Sequence, residues 1–236
     1  MSLNELGYEK DKGLSKHFAK TFLWMSLALA LTALVATGLY ESGLYLDVYF
    51  SFGRYGSIIL LVIQLVLVFM ISSIMNKLSF SVVLCLFFAY AILTGINLSV
   101  LPAIYGFANM GIAFACAALL FVNMGIIGLT TKKDLSSWGT ILFAGLISLL
   151  LVTLINLFLN LETLDWIMNY FAIGLFMALT AYDMQKIRRF YSMTVSVQGN
   201  SMSVLNKLSI YCALELYLDF INLFIRILKI IGRNRD

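Results

Sequence analysis

Two carboxylates stand inside apolar sequence near the end of the chain. Asp183 lies in Leu179-Thr-Ala-Tyr-Asp-Met-Gln-Lys-Ile187, toward the end of one long apolar segment. Asp219 lies in Leu216-Tyr-Leu-Asp-Phe-Ile-Asn222, well inside the next. A charged side chain at the centre of a bilayer costs about 3 kcal/mol or more on insertion scales, so such residues mark functional sites by default. Two on consecutive helices are the ingredients of a proton-sensitive or cation-binding site. If the carboxyl groups come within hydrogen-bond reach, both cannot easily ionise, and they share one proton. Doubly ionised, they offer four oxygens suited to a hard divalent cation such as calcium.

The last segment carries more than Asp219. At helical spacing Cys212, Glu215, Asp219, Asn222 and Arg226 fall on one polar stripe, opposite Leu, Ile and Phe. Such a stripe must face other helices or water, not lipid. Insertion of this segment therefore depends on packing against protein, which makes it the expected central helix. Asp219 is the deepest of these groups and the best functional candidate. Asp183 has an equal structural reading, as a cap or as a partner of Lys186, Arg188 or Arg189. Glu215 reads as an interfacial group. Asn222 and Arg226 read as residues that satisfy or neutralise neighbours and so support an ion pathway. Gln64, Asn97, Asn123 and Asn156 are isolated amides within spans, which ordinarily bond between helices for about 1 kcal/mol each.

These residues must be held by membrane helices. The chain of 236 residues is 61% hydrophobic and 12% charged, against about 25% charged in an ordinary soluble domain. The apolar residues come in blocks of roughly 20, the length that crosses a bilayer. The fold class is an all-α polytopic membrane protein. Seven spans are expected, near 20–40, 55–76, 79–101, 108–130, 138–160, 166–187 and 207–230. They form one transmembrane domain over 20–230, between an N-terminal tail at 1–19 and a short basic tail at 231–236. Pro102 falls where it can stop a helix without breaking one. Asp134 to Ser137 offers an N-cap to the fifth span. Arg188 to Asn206 is polar and reads as an exposed loop. The three cysteines, Cys85, Cys116 and Cys212, read as small buried hydrophobes.

Lys and Arg set the orientation. Eleven of the sixteen fall on the side of the N-terminus, which places that terminus in the cytoplasm. The basic C-terminal residues oppose a seventh full crossing; either they are tolerated outside or the last segment turns back. The net charge of +4 suits anionic headgroups, and no basic stripe interleaved with aromatics suggests nucleic acid. Enzyme chemistry is not expected. The one histidine, His17, sits in the N-terminal tail as an exposed residue, and no metalloprotease or phosphate-loop motif occurs. Neither aspartate is followed by Gly, which argues against an aspartyl protease.

Leu179 to Ile187, followed by Ala213 to Phe224, closely resembles the signature of bacterial members of the transmembrane Bax inhibitor motif family (Bax inhibitor-1-like). Thr131 to Ser137, Gly145 to Ile147, Asn156 to Phe158, Phe22 to Met25 and Leu29 to Thr32 are also similar, so the likeness spans most of the chain. The resemblance implies seven helices with the last wrapped by the other six. It implies a calcium leak regulated by pH, in a bacterial plasma membrane, with Asp183 and Asp219 as the proton-sensing pair and no further cofactor. Two departures stand out. The loop between the motifs is longer than in relatives. Some members place a basic residue in the second span, whereas here Arg54 precedes that span and Lys77 follows it. The alternative function is a regulatory membrane protein that binds a membrane protease or another integral partner without transport.

Overall fold

The computed structural model describes the backbone of residues 3–51, 56–74, 77–198 and 201–233. Arg54, Asn200 and Arg235 lie outside these, as does the end of the expected 231–236 tail. The described residues form α-helices joined by short turns, with no strand among them: α1 (Leu3–Glu41), α2 (Leu44–Ser51), α3 (Gly56–Ile74), α4 (Phe80–Leu98), α5 (Leu101–Thr130), α6 (Gly139–Leu159), α7 (Glu162–Gln198) and α8 (Met202–Arg233). Among the described residues, six helices are long and apolar enough to cross a membrane, and α3 adds a shorter apolar stretch, Val62–Ser73. In hydrocarbon every backbone N–H and C=O needs an internal partner, and a helix supplies it within one segment.

Contacts divide the chain into two units. The first joins residues 1–106 to 190–217, and the second joins 107–189 to 218–236. In the first unit α1 packs along α4, and α3 packs on α4. The α1–α4 approach is close at Gly95, where a methyl group would lie 2.8 Å from the Thr32 carbonyl oxygen. A buried polar network crosses this unit. The Thr32 hydroxyl donates to the Ala91 carbonyl (2.9 Å) and pairs with the Tyr217 hydroxyl (2.7 Å). Gln64 donates to Thr94 (2.9 Å) and accepts from Asn97 (2.8 Å). Gln64 and Asn97 are thus the interhelical amides the sequence suggests. Asn123 and Asn156 are not. Asn123 is exposed on α5, and Asn156 accepts from the Leu161 amide at the end of α6 (3.0 Å), where Asn160 takes a left-handed conformation open to Asn but costly for most residues.

In the second unit α5 is the spine. It is broken at Gly106, whose φ of 74° and ψ of 151° suit glycine alone, so the span proper begins after it, as expected from 108–130. Pro102 sits in the first turn beyond the cap of α4, where its missing N–H breaks no helix. Gly128 lets α5 touch α7 backbone to backbone: a methyl there would overlap the Ala181 carbonyl oxygen and lie 2.9 Å from the Ala181 Cα. Gly125 receives Met184 in the same way, with the Met184 Cε 2.8 Å from where a methyl would stand.

Several expectations are corrected. Arg188 to Gln198 is not a loop but the last third of α7, because no Gly or Pro interrupts it before Gly199 and its aromatics find partners. Phe190 stacks on Tyr211 (6.4 Å between centroids) and Tyr191 is buried. Within the N-terminal tail, residues 3–19 are helical, and α1 runs unbroken into its span. His17 is accordingly buried, 6% exposed, with its ring 5.3 Å from that of Tyr191. Of the three free cysteines only Cys212 is buried, and Cys85 is exposed. α2 was not expected at all.

The last helix is the most buried of the described spans, as its polar stripe requires. In α8, 67% of the apolar window is buried, against no more than 44% in any other span. The glycine contacts give a direct test of the α5–α7 approach. Gly128→Ala must push two backbones apart and should destabilise the protein by about 1–3 kcal/mol. Gly111→Ala meets nothing within 4 Å and should be neutral, or stabilising by about 0.5–1 kcal/mol through helix propensity. Thermal unfolding in detergent compares the two; equal melting temperatures would contradict the close approach.

Candidate functional site

Asp183 is 7% exposed on α7, and Asp219 is 4% exposed on α8. Both belong to the second unit. Lys186 Nζ lies 3.8 Å from Asp183 Oδ1, one turn along α7, and both side chains are largely buried. That spacing is the natural i, i+3 ion pair of a helix. Of the three cations the sequence offers to Asp183, Lys186 takes this place, whereas Arg189 reaches Asp134 (3.8 Å). The Tyr182 ring lies beneath both cations, 5.9 Å from Lys186 Nζ and 5.7 Å from Arg189 Cζ, close enough for cation–π attraction.

α5 sets the depth of the two carboxylates. Phe220, the neighbour of Asp219, packs edge-on against Phe114 (5.2 Å) and Phe121 (5.7 Å) of α5. Met184, the neighbour of Asp183, packs at Gly125 of the same helix. Phe121 and Gly125 are four residues apart, about 6 Å along the axis. Asp219 and Asp183 thus each flank a residue packed on α5, Asp219 beside the Phe114–Phe121 stretch and Asp183 beside Gly125 and Gly128. The described residues hold no group of three or more His, Cys, Asp and Glu placed to bind a metal; a calcium site would rest on these two carboxylates and on ligands other than such side chains.

The remaining stripe residues divide by role. Glu215 is half-buried. The Asn222 amide donates to the Leu218 carbonyl of its own helix (2.8 Å). The Arg226 carbonyl accepts from Asn169 (3.0 Å). Lys229 pairs with Asp165 (3.6 Å) near the start of α7. Asp165 opposite Lys229, and Asn169 opposite Arg226, show α7 and α8 running antiparallel here.

Gln185 is a residue that the sequence reading passed over. Its Oε1 accepts from the Leu135 amide (2.7 Å) and its Nε2 donates to the Lys133 carbonyl (2.9 Å). One carboxamide thus fastens the α5–α6 connection to α7, two residues from Asp183. Its place in the Tyr-Asp-Met-Gln stretch was the available signal: an amide beside a buried acid is poor packing material unless it bonds. Asp134 does not cap α6 as expected. It closes a turn at Ser136 instead, accepting from the Ser136 amide (2.9 Å) and hydroxyl (2.6 Å), ahead of the 3-10 turn Ser136–Trp138. The hydroxyl first, then the amide, hold the Asp134 carboxyl below its ordinary value of 3.8; desolvation opposes them, and Arg189 adds a lesser pull downward.

Apolar helices of spanning length, a last helix that is the most buried of the described spans, and two buried acids within the last two helices define a helical multi-pass integral membrane protein. Comparison with known sequences identifies the particular kind: the family model "Inhibitor of apoptosis-promoting Bax1" matches residues 14–236, and the chain belongs to this Bax inhibitor-1-like family. It is similar to the inner membrane protein YbhL of Escherichia coli K12, with 40% identity over 223 residues that cover 94% of each chain. It is also 32% identical over 234 residues to an uncharacterized protein of Borreliella burgdorferi, covering 98% of this chain and 99% of the relative. An uncharacterized protein of Rickettsia prowazekii, RP147, is 35% identical over 227 residues, covering 96% and 93%.

The Gln185 clamp yields a measurable expectation. Gln185→Leu removes two hydrogen bonds of about 1 kcal/mol each. Hydrogen exchange at the Leu135 amide should rise at least about tenfold, and unchanged exchange would exclude the clamp. The Asp134 turn has a defined pH response. A carboxyl with a lowered folded-state value stabilises above its unfolded value, and loses that contribution as pH falls through the folded one. Exchange protection of the Ser136 amide should therefore persist to below pH 3.8 and then fall in acid, while Asp134→Asn should show no such acid step.

Proposed function

We propose that the chain is a pH-sensitive cation leak that admits calcium, with Asp183 and Asp219 as its sensing and gating pair. The observation that carries this reading is the burial of two carboxylates, Asp183 on α7 and Asp219 on α8, each beside a residue that packs on α5. Burial penalises the charged form of each, and two nearby negative charges penalise each other. Protonation of the pair is then sensitive to small changes in its surroundings, and so to the side-chain arrangement that would open or close a path.

Lys186 supplies the other half of the device. While Asp183 is ionised, its attraction to Lys186 ties two consecutive groups of α7 together. On protonation that attraction is lost, and an Asp183 carboxyl can donate a hydrogen bond instead. The two states differ in local bonding, which is what a switch requires. The eleven basic residues on the side of the N-terminus support a cytoplasmic N-terminus, which puts the Asp183–Lys186 end of the pair nearer the cytoplasm. In this reading calcium is the permeant ion, protons are the signal, and the bilayer is the working partner.

Calcium flux into liposomes containing the purified protein tests the reading. Asp219→Asn keeps shape but fixes the site near its neutral form, so the flux–pH curve should flatten or shift; a curve identical to the parent removes Asp219 from the sensor. The same assay tests coupling. If Asp183 and Asp219 share a proton, the Asn substitutions should not add, and the double variant should titrate much like either single one. Additive shifts would sink the shared-proton pair. Absence of flux at every pH from the folded parent would sink the leak itself.

A further inference from the structure

At the opposite end of the second unit from Asp183, a second polar constellation joins α7 to α8. Asn169 is 2% exposed. Its Nδ2 donates to the Arg226 carbonyl (3.0 Å), which fixes the amide orientation, since a reversed amide would set two oxygens face to face. The Asn169 Oδ1 is therefore a committed acceptor. It is buried and has no hydrogen-bond donor among the described residues, and the Arg226 Nε is a buried donor with no acceptor among them. A buried amide oxygen or guanidinium N–H left unbonded loses its hydration with nothing in return, and dry packing would leave both so.

Water is the small molecule that suits each of these atoms. Water donates to an amide oxygen and accepts from a guanidinium N–H, and buried waters ordinarily serve such groups. An anion suits Arg226 but offers nothing to Asn169 Oδ1, and a metal cation suits the oxygen but is repelled by Arg226. The surroundings continue the polarity in both directions. Outward, Asp165 and Lys229 pair at 3.6 Å with side chains 45% and 38% exposed. Inward, Asn222 and then Asp219 follow on α8. At 100° per residue, residues 219, 222, 226 and 229 fall within an arc of about 80°.

We propose that Asp165, Asn169, Arg226 and Lys229 form a hydrated mouth that leads along α8 to Asn222 and Asp219, with the Arg226 guanidinium as its electrostatic guard. Its purpose rests on the leak reading, but its hydration does not. Water reaches Asp219 from the side opposite Asp183. Arg226 opposes cation entry, and the Asp165 carboxylate at the rim offsets part of its charge.

The test begins with a background in which Cys85, Cys116 and Cys212 are serine. Asn169→Cys, Asn222→Cys and Ala117→Cys are made one at a time; Ala117 is fully buried on the apolar spine of α5 and serves as the dry reference. Silver ion is added to membrane vesicles, and the remaining thiol is titrated with maleimide after denaturation. Asn169→Cys should react at least tenfold faster than Ala117→Cys. If Asn169→Cys fails to fold by size exclusion, Asn222→Cys carries the same expectation. Reaction as slow as the Ala117 reference overturns the hydrated mouth, whether or not the protein leaks calcium. Arg226→Gln should raise cation flux severalfold in liposomes while silver accessibility is kept, and unchanged or lower flux overturns the guard. Silver access without flux in the parent would leave the mouth in place and sink the leak reading alone.

Discussion

The last helix cannot live in lipid, and the rest of the chain is arranged around that fact. α8 carries Glu215, Asp219, Asn222, Arg226 and Lys229 within its span. At the bilayer centre each charged group costs about 3 kcal/mol or more by insertion scales, so the sum exceeds what the flanking Leu, Ile and Phe residues return. The segment is tolerable only where other helices cover it. Its burial, the highest of any span, is therefore a condition of its insertion. Once covered, its polar atoms need partners, and the covering helices supply them: the Thr32 hydroxyl to Tyr217, the Asn169 amide to the Arg226 carbonyl, Asp165 to Lys229.

Close packing makes those partnerships specific. Between membrane helices there is little hydrophobic drive, because lipid tails are as apolar as leucine, so association rests on contact area and on polar bonds. The small residues sit at the contacts. Gly95 brings α4 onto α1, and Gly125 and Gly128 bring α5 onto α7 around Ala181 and Met184. Asp183 lies between these last two residues. Its depth is thereby fixed by backbone contact rather than by a side chain that can swing, and a group whose surroundings are rigid has a defined proton affinity. Phe220, wedged between Phe114 and Phe121, does the same for Asp219.

How much of this was legible in the sequence follows from what each signal depends on. Span positions depend on hydropathy, which is local, and the expected segments fall on the observed helices with ends that differ by a few residues in most cases. The importance of Asp183 and Asp219 was legible because a charge in apolar sequence is conspicuous. Helix ends in polar sequence were not. Composition marked Arg188 to Gln198 as loop and residues 3–19 as tail, but helix continues where nothing breaks it and where Tyr191 and His17 pack on each other. Amides were the least legible. Gln64, Asn97, Asn123 and Asn156 look alike in sequence, yet two bond between helices, one closes a helix end and one is exposed. Only the rotation of each helix about its axis decides among these, and seven apolar segments offer hydropathy too uniform to reveal it.

That same uniformity explains why chemistry concentrates on α7 and α8. A span that faces lipid on one side can carry polar groups only on its inner face, as α3 and α4 do at Gln64, Thr94 and Asn97. A span covered on every side can carry them all round. α8 bears Tyr217 and Asp219 two residues apart, about 200° around the helix, so the two point to opposite faces. Tyr217 bonds into the Thr32–Ala91 contact of the first unit, and Asp219 belongs to the second. Burial therefore lets one helix hold a structural hydroxyl bond and an ionisable group within two residues of each other.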